Sequence, residues 1–472
     1  MTPDTIVFIP KYFTQKAIIT FGVVLLVCTL LFFNKLLGFQ WIIFDLVAVV
    51  GFFGASSILS KSWMRNSTAL FQQKLFWTSF VLRIIWVFFS YFYFISVTGQ
   101  PFEYDAADSG GYYGEAQWVA GLFRDKKIDI YLKYIGKNYA DMGYPSYLAA
   151  IALIAGDGIL PARLLKALWG AITCILIYRI AKNNFGESIG RLAGILSMLL
   201  PNLIYYTGLH VKETEMVFIT MLFAYLADKI LKGDKRIALR DLLLLVLFGG
   251  ILFLFRTVLA ACMIASVGIA IVFISKRVSR VGRRMSLAAL GVIGVVLIMS
   301  SPLQGSISEY LGKSDENIRR QMLNYTKYAD NTNSLAQYGS KSIFLPMMLV
   351  APFPTLIDTN QLNPMMLGGA FFTRNIYAFF VFLALYAIYK KKKWREYIFL
   401  LSCLFSYLFV LGSSGFALSE RFHLPALPFM MILSAYGISQ LTPKNKKYYI
   451  PYLFFISVVI VGWNWFKLAG RA

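Results

Sequence analysis

Long apolar runs separated by short polar segments recur along the whole chain. A transmembrane helix needs about 20 predominantly apolar residues, and many of the runs approach that length. The pattern predicts an all-α polytopic membrane protein with about 13 transmembrane helices. These lie near residues 18–34, 39–60, 75–97, 163–181, 192–209, 214–231, 241–255, 257–275, 285–301, 367–389, 397–413, 422–441 and 448–465.

Two longer polar segments, 98–162 and 302–366, interrupt this alternation. Each contains one apolar stretch, at 144–156 and at 343–357, that is too short or too broken to cross a bilayer comfortably. Short apolar stretches of this kind suit helices that lie along the membrane surface. We therefore expect a surface helix in each of the two segments.

Composition and charge agree with a membrane protein. Hydrophobic residues make up 58% of the chain and charged residues 15%, which excludes an ordinary soluble enzyme, a disordered protein and a disulfide-rich secreted scaffold. The net charge of +23 would indicate nucleic acid binding in a soluble protein. Here it reports orientation, because the cytoplasmic loops of membrane proteins collect Lys and Arg, and we expect no nucleic acid partner.

The distribution of the charges supports a cytoplasmic N-terminus. The segments that would then face the cytoplasm hold 26 of the 46 Lys and Arg residues but only six of the 23 acidic residues, a net charge of +20 against +3 elsewhere. They are 1–17, 61–74, 179–191, 228–241, 276–284, 390–396 and 444–447. This asymmetry predicts that the segments 98–162 and 302–366 face the outside.

The first outer segment contains a candidate catalytic acid. Its residues 103–118 are EYDAADSGGYYGEAQW, in which Asp105 and Asp108 precede a Ser-Gly-Gly turn and the pair Tyr112 and Tyr113. A carboxylate held at the membrane surface can accept a proton from a hydroxyl nucleophile. The same acids could instead be solvated, or could cap a helix that begins near residues 109–112.

A second outer loop and two span ends carry further charged groups. The loop, YYTGLHVKETEM at 205–216, contains His210, Lys212, Glu213 and Glu215. Its structural alternative is a Lys that extends to the membrane surface beside a compensating Glu. His423, the other histidine of the chain, also lies at an outer membrane boundary.

Arg256, in FLFRTVLAA, and Arg421, in SERFHLPALPFMMIL, border apolar runs on the outer side. The planar guanidinium group can bind two phosphate oxygens at once, although Arg421 could instead pair with Glu420. Arg83 lies in the middle of a span, where a charge is costly. Pairing with Asp45 and a functional role both remain open for Arg83.

The order of these features resembles the GT-C superfamily of polyprenyl-phosphate-dependent glycosyltransferases. The branch most similar contains the dolichyl-phosphate-mannose protein mannosyltransferases and the lipid A aminoarabinose transferase. The resemblance extends from about residue 80 to 255, through Asp108, Tyr112, Tyr113 and Ala116, Gly143-Tyr144-Pro145 opening a helix that ends at Gly156, RLLKALWGAITCILIYRIAKNNFG at 163–186, RLAGILSMLLPNLIYYTG at 191–208 and Glu213. RFHLPALPFMMIL at 421–433 is a weaker match.

The resemblance implies two juxtamembrane helices in the first outer loop and a division of the chain into four parts. These are an added N-terminal transmembrane hairpin (1–74), a GT-C-like catalytic module (75–301) that includes the outer loop 98–162, a second outer loop with a surface helix (302–366), and C-terminal transmembrane helices (367–472).

The implied activity is inverting transfer of a hexose or pentose from a polyprenyl-phosphate donor to a hydroxyl group of a glycan, lipid or protein acceptor. The site would face the outside of a multi-pass protein, which we expect in a bacterial cytoplasmic membrane. Asp108 fits the place of the general base, with Asp105 in reserve, and Glu213 fits a second acidic position. For the donor phosphate we expect contacts from Arg256, Arg421, Lys212, His210 and His423, and for the substrates contacts from Tyr112, Tyr113 and Tyr144.

No cofactor is required by this chemistry, because cationic side chains can neutralise a single leaving phosphate. A divalent metal between Asp108 and Glu213 remains an alternative. Two other functions were also considered, namely an O-antigen-type polymerase or ligase with a diphosphate-linked donor, and a flippase or transporter of lipid-linked sugars. A transporter favours charged residues through the middle of several spans, whereas here only Asp45 and Arg83 lie so deep.

Overall fold

The structure is a computed structural model that describes residues 7–104, 106–136, 139, 142–232, 238–274, 345–358, 367–412 and 419–469. Within these ranges every regular element is a helix, and the extended chain forms one isolated bridge, between Leu36 and Ile357. The predicted cytoplasmic segment 276–284, the predicted span 285–301, Asp105 and most of the segment 302–366 lie outside the described residues.

Three long apolar helices open the chain, namely α1 (Lys11–Leu31), α2 (Phe39–Ser62) and α3 (Thr68–Thr98). Ser67 caps α3, because its side chain accepts the backbone N–H of Leu70 at 3.3 Å, as helix-capping serines do. Gly99 ends α3 with a φ of +73°, a left-handed conformation that costs glycine little. All three helices are long enough to cross a bilayer.

Helices α4 (Ala107–Arg124), α5 (Ile128–Ile135) and α6 (Gly143–Ala155) follow within the predicted outer segment. The predicted helix at 144–156 is confirmed as α6, which packs against α4. Tyr144, Leu148 and Ala149 form part of its buried face. The described part of this segment therefore contains three helices between α3 and the next long helix, one more than the resemblance implies.

The central part of the chain contains α7 (Ile159–Phe185), α8 (Glu187–Leu199), the short α9 (Pro201–Tyr205), α10 (Glu213–Lys232), α11 (Leu239–Phe255) and α12 (Thr257–Ile274). A 3-10 turn at Tyr206–Gly208 continues α9. The chain bends by 53° between α8 and α9, where Pro201 has no N–H to continue the helical hydrogen bonds. The short connection between this turn and α10 carries His210 and Lys212.

The C-terminal part contains α13 (Leu345–Val350), α14 (Leu367–Lys390), α15 (Ile398–Gly412), α16 (Glu420–His423), a 3-10 turn at Leu424–Ala426, α17 (Leu427–Ser439), α18 (Pro443–Lys446) and α19 (Tyr449–Ala469). Helices α7, α14 and α17 are mostly buried inside the protein, whereas α1, α3 and α19 expose most of their apolar surface. An apolar exposed surface of this extent is that of a multi-pass integral membrane protein.

The prediction of 13 spans is wrong. Seven helices of the described chain are long and apolar enough to cross a membrane, or eight if the bent α8–α9 pair counts as one span. The predicted spans at 241–255 and 397–413 form helices of 17 and 15 residues, and that at 214–231 carries acidic and basic residues at its ends. Apolar runs of this kind can be buried by neighbouring helices instead of lipid, so counting them overestimates the spans.

The predicted surface helix at 343–357 is also wrong over its described part. Only α13 is helical, and residues 351–358 continue without a helix while Met348 and Ala351 are completely buried. Asn375 donates to the carbonyl oxygens of Val350 and Pro352 at 2.6 and 2.9 Å, and Asn464 accepts from the N–H of Leu356 at 2.7 Å. These amide side chains replace the helical hydrogen bonds that this buried backbone lacks.

The suggested pair of Asp45 and Arg83 does not form. Asp45 accepts the backbone N–H of Gly369 at 2.8 Å, at the first turn of α14. A Cβ atom at Gly368 would lie 2.3 Å from the Asp45 carboxylate, so only glycine lets the two helices approach this closely. Arg83 instead donates to the Ser79 side chain at 2.6 Å.

Candidate functional site

Arg421 joins the two acids that the sequence singles out. Its Nη1 donates to Oδ2 of Asp108 and its Nε donates to Oε1 of Glu213. The Asp108 side chain is 61% exposed, whereas that of Glu213 is fully buried and that of Arg421 is 22% exposed. Three residues from distant parts of the sequence therefore form one charged cluster that opens to the surface at Asp108.

Each member of the cluster lies near the beginning of a helix. Asp108 is in the first turn of α4, and Glu213 is the first residue of α10. The unpaired N–H groups of a first helical turn favour negative charge. Ser109 donates to Oε1 of Glu103 at 2.5 Å, which ties the start of α4 to the preceding chain and fixes the position of Asp108.

Arg421 lies in a helix that is broken near two prolines. Helix α16 ends at His423, the 3-10 turn contains Pro425, and α17 begins next to Pro428. Glu420 does not pair with Arg421 in this turn. It accepts hydrogen bonds from the hydroxyl of Tyr206, at 2.7 Å, and from the side-chain amide of Asn202. These bonds attach the turn to α9 and to the 3-10 turn that follows it.

Aromatic residues and Lys212 lie beside the cluster. The Lys212 ammonium is 5.9 Å from the centre of the Tyr112 ring, and Tyr112 makes an edge contact with Tyr144 at 5.0 Å between ring centres. The hydroxyl of Tyr113 donates to the carbonyl oxygen of Asp157 at 3.1 Å. The three predicted substrate-contacting tyrosines are thus close together, with Tyr144 completely buried.

His210 is enclosed by aromatic rings. Phe102, Tyr113 and Tyr144 lie with their ring centres 6.0–6.3 Å from that of His210, which is 2% exposed. Burial, and then the positive charges of Lys166 and Arg163, lower the pKa of His210 to about 3. A neutral ring has no positive charge for a phosphate, so the structure gives no support to this predicted role.

Arg256 and His423 make contacts of their own near the Arg421 turn. The Arg256 guanidinium stacks over the ring of Phe422 at 4.3 Å and is 3.3 Å from the hydroxyl of Tyr407. The Nδ1 atom of His423, which is completely buried, is 2.8 Å from Nη2 of Arg374. Arg256 thus contacts the residue that follows Arg421 in the chain, whereas the contact of His423 is with Arg374.

Lys166 was not predicted from the sequence, although it organises the second loop. Its buried ammonium group donates to the carbonyl oxygens of Leu209, at 2.7 Å, and of Val211, and it is 3.7 Å from Oε2 of Glu215. A lysine inside the apolar run of α7 was the available signal, because charges in spans are costly. Lys166 fixes the backbone on both sides of His210, immediately before Glu213.

The position between the two acids is already filled by a cation. The guanidinium of Arg421 lies where a divalent metal bridging Asp108 and Glu213 would have to bind. In the described part of the chain, no group of three or more His, Cys, Asp and Glu side chains is arranged to hold a metal ion.

Part of the chain matches a known protein family. Residues 143–304 match the family described as dolichyl-phosphate-mannose-protein mannosyltransferase. The match begins at the first residue of α6 and includes Glu213, whereas Asp108 and Arg421 lie outside it. No curated protein sequence matches the chain. The family supports the predicted polyprenyl-phosphate-dependent glycosyltransferase over the diphosphate-dependent polymerase and the transporter.

Proposed function

We propose that Asp108, Glu213 and Arg421 form the reaction centre of this chain, a multi-pass membrane glycosyltransferase that uses a polyprenyl-phosphate sugar and whose residues 143–304 match the dolichyl-phosphate-mannose-protein mannosyltransferase family. The observation that carries this proposal is the double ion pair of Arg421 with an exposed and a buried carboxylate. It combines an accessible base with a cation held at a fixed position.

Asp108 is the general base in this proposal. Its exposed carboxylate can be reached by an acceptor hydroxyl, whose proton it takes as the oxygen attacks the anomeric carbon. A bond forms between the acceptor oxygen and that carbon while the bond from the carbon to the donor phosphate oxygen breaks. The electron pair of the broken bond passes to the phosphate, and attack opposite the leaving group inverts the configuration.

Arg421 and Lys212 stabilise the negative charge that grows on the leaving phosphate. Arg421 first has to exchange one of its two partners for the phosphate. Asp108 is the partner more easily given up, since it is largely exposed and water can solvate it, whereas an unpaired Glu213 would remain as a buried charge. Donor binding would therefore free the base at the moment it is needed.

The reaction centre faces the outside of the membrane in this proposal. The excess of Lys and Arg in the predicted cytoplasmic segments supports it. The prenyl tail of the donor would lie between helices, with its phosphate at the membrane boundary beside Arg421.

The proposal is tested with purified protein and two sets of donors, polyprenyl phosphates and polyprenyl diphosphates carrying the same labelled sugars. Mass spectrometry of lipids that co-purify with the protein selects the sugars to include. We expect release of polyprenyl phosphate and a product of inverted anomeric configuration, determined by NMR. Turnover of the diphosphate donors alone, or retention of configuration, would contradict the proposal.

A further inference from the structure

Arg83 is a buried cation whose role the fold does not explain. It is completely buried within α3, and it donates from Nη1 to the hydroxyl and carbonyl oxygens of Ser79, at 2.6 and 3.2 Å, and to the carbonyl oxygen of Met198 at 3.4 Å. Nη2 is 3.8 Å from the sulfur of Cys174. Among the described residues no carboxylate lies within ion-pair distance of it, and its Nε has no hydrogen-bond partner.

One small cavity is lined by both Arg83 and Glu213. Gly170, Thr173, Tyr206 and Thr214 are among its other lining residues. Its space for water is about 10 Å³, close to the roughly 10–15 Å³ that one buried water needs. A Cβ atom at Gly170 would lie 2.5 Å from the Arg83 Nε, so the glycine leaves room for the guanidinium at this wall.

Two other residues that line the cavity, Glu213 and Thr214, also have a buried polar atom without a partner. Oε1 of Glu213 accepts from Arg421, but its Oε2 has no hydrogen bond. The hydroxyl of Thr214 is likewise buried without a partner. A buried polar group without a partner costs about 1–3 kcal/mol. Three such groups belong to residues that line a space the size of about one water, which favours a bound water there.

We propose that an ordered internal water joins Arg83 to Glu213 and makes Arg83 a positioning residue of the reaction centre. The N–H at Nε of Arg83 donates to the water, and the water donates to Oε2 of Glu213 and to the hydroxyl of Thr214. Glu213 is then fixed between two guanidinium groups, Arg421 at one oxygen and Arg83 at the other. It therefore keeps its orientation when Arg421 turns to the donor phosphate.

This inference rests on the proposed role of Glu213, and a double-mutant cycle separates the two. Arg83→Met, Glu213→Gln and the double variant are compared for kcat and donor KM, after size-exclusion and thermal-unfolding checks. We expect Arg83→Met to lower kcat at least about fivefold in the parent protein and less than about twofold beside Glu213→Gln, because coupled residues are not additive. Arg83→Lys should restore part of the rate.

The double-mutant cycle distinguishes failure of the proposed reaction centre from failure of the water-mediated role of Arg83. Full activity of Glu213→Gln alone contradicts the proposed reaction centre. A damaging Glu213→Gln combined with an additive effect of Arg83→Met leaves that centre intact and overturns the water-mediated role.

A second variant keeps the inference testable if Arg83→Met does not fold. Thr214→Val removes the hydroxyl at the water site with little change of shape, and we expect it to lower kcat several-fold. Thr220→Val is the matched control in the same helix, since the Thr220 hydroxyl is buried but donates to the carbonyl oxygen of Met216 at 2.7 Å. Equal effects of the two variants, or an experimental map that resolves internal waters and has no density in this cavity, would overturn the inference.

Discussion

Arg421 and Glu213, 208 residues apart in the sequence, form an ion pair in which the carboxylate is fully buried. A buried carboxylate is stable only when it is paired and hydrogen-bonded. The pair therefore fixes the guanidinium of Arg421 at the start of α10, where its Nη1 donates to Asp108.

We predict that Arg421→Lys loses most of the activity although the positive charge remains. Arg421 contacts two carboxylates with two different nitrogens, whereas an ammonium is a single point charge. Loss of one charge-assisted hydrogen bond, about 1.5–3 kcal/mol, corresponds to a decrease of about 10–150-fold in kcat/KM for the donor. Transfer kinetics with purified protein measure it.

Arg124→Lys is the matched control, because Arg124 forms only an exposed ion pair with Asp157 at 3.7 Å, and such pairs contribute little. We expect it to keep the parent activity. An Arg421→Lys variant as active as this control would remove Arg421 from the reaction centre. Arg256→Lys should have an intermediate effect, since Arg256 supports the neighbouring Phe422.

Asp108→Asn should abolish transfer while donor binding persists. The substitution removes proton acceptance with little change of shape, and loss of a positioned base costs roughly 10²–10⁴-fold in rate. Single-turnover transfer and donor binding are measured separately on the same preparation. Asp129→Asn is the control, because Asp129 is an exposed acid of α5 that pairs with Lys133 at 3.9 Å.

The reserve candidate is tested in parallel. If Asp105→Asn is inactive and Asp108→Asn retains activity, the base is Asp105. If both variants are active, proton acceptance does not come from this segment.

The sequence predicts that Asp108, Glu213 and Arg421 lie at the same membrane boundary. Charged residues at the ends of apolar runs are costly to bury in lipid, so they collect there. Their direct contact could not be predicted, since it depends on the bend at Pro201 and on the Arg421 turn, which bring separate helices together. The number of transmembrane helices predicted from the sequence was too high for a related reason. Hydropathy measures how apolar a run is, but it does not distinguish a helix in lipid from α15, which is partly covered by other helices.

Single buried residues were the hardest to assign from sequence. The sequence suggests Arg83 as a partner of Asp45, whereas in the structure Asp45 accepts the backbone N–H of Gly369. The loop position of His210 predicts a contact with the donor phosphate. The aromatic rings that bury it, and so lower its pKa, come from α4, α6 and the segment before α4. Such environments are formed by residues far away in the sequence.

We predict that His210 makes the protein less stable as the pH falls. The folded-state pKa is about 3, against 6.5 for an ordinary histidine. Between these values the unfolded chain binds a proton that the folded protein does not, so stability decreases with falling pH by at most about 1.4 kcal/mol per pH unit. Thermal unfolding in detergent at pH 7.5 and 5.5 measures this dependence.

His210→Gln provides the comparison for that measurement, because all other titrating groups are common to both proteins. The variant should lose less stability between pH 7.5 and 5.5 than the parent does, whatever its stability at pH 7.5. Equal losses in the two proteins would show that His210 is protonated in the folded state as readily as in the unfolded chain.

Cysteine labelling should place α5 and the connection between α14 and α15 on opposite sides of the membrane. Asp129 and Lys393 have side chains that are 68% and 50% exposed, and the charge asymmetry predicts opposite faces for them. Each is changed to Cys after replacement of the four native cysteines, which are all buried. An impermeant maleimide should label Asp129→Cys in intact cells and Lys393→Cys only after permeabilisation. Labelling of both from one side would contradict the proposed orientation.

Removal of divalent metals should leave the transfer rate within about twofold of its starting value. The reason is that the Arg421 guanidinium lies between Asp108 and Glu213, and a cationic side chain at this position can neutralise the leaving phosphate without a metal.

The protein is treated with EDTA, passed into metal-free buffer and assayed with and without added Mg²⁺ or Mn²⁺. Because chelation could also affect the acceptor or the lipid, donor binding is measured in the same samples. A loss of transfer that Mn²⁺ restores while donor binding is constant would show that a metal, and not Arg421 with Lys212, stabilises the phosphate.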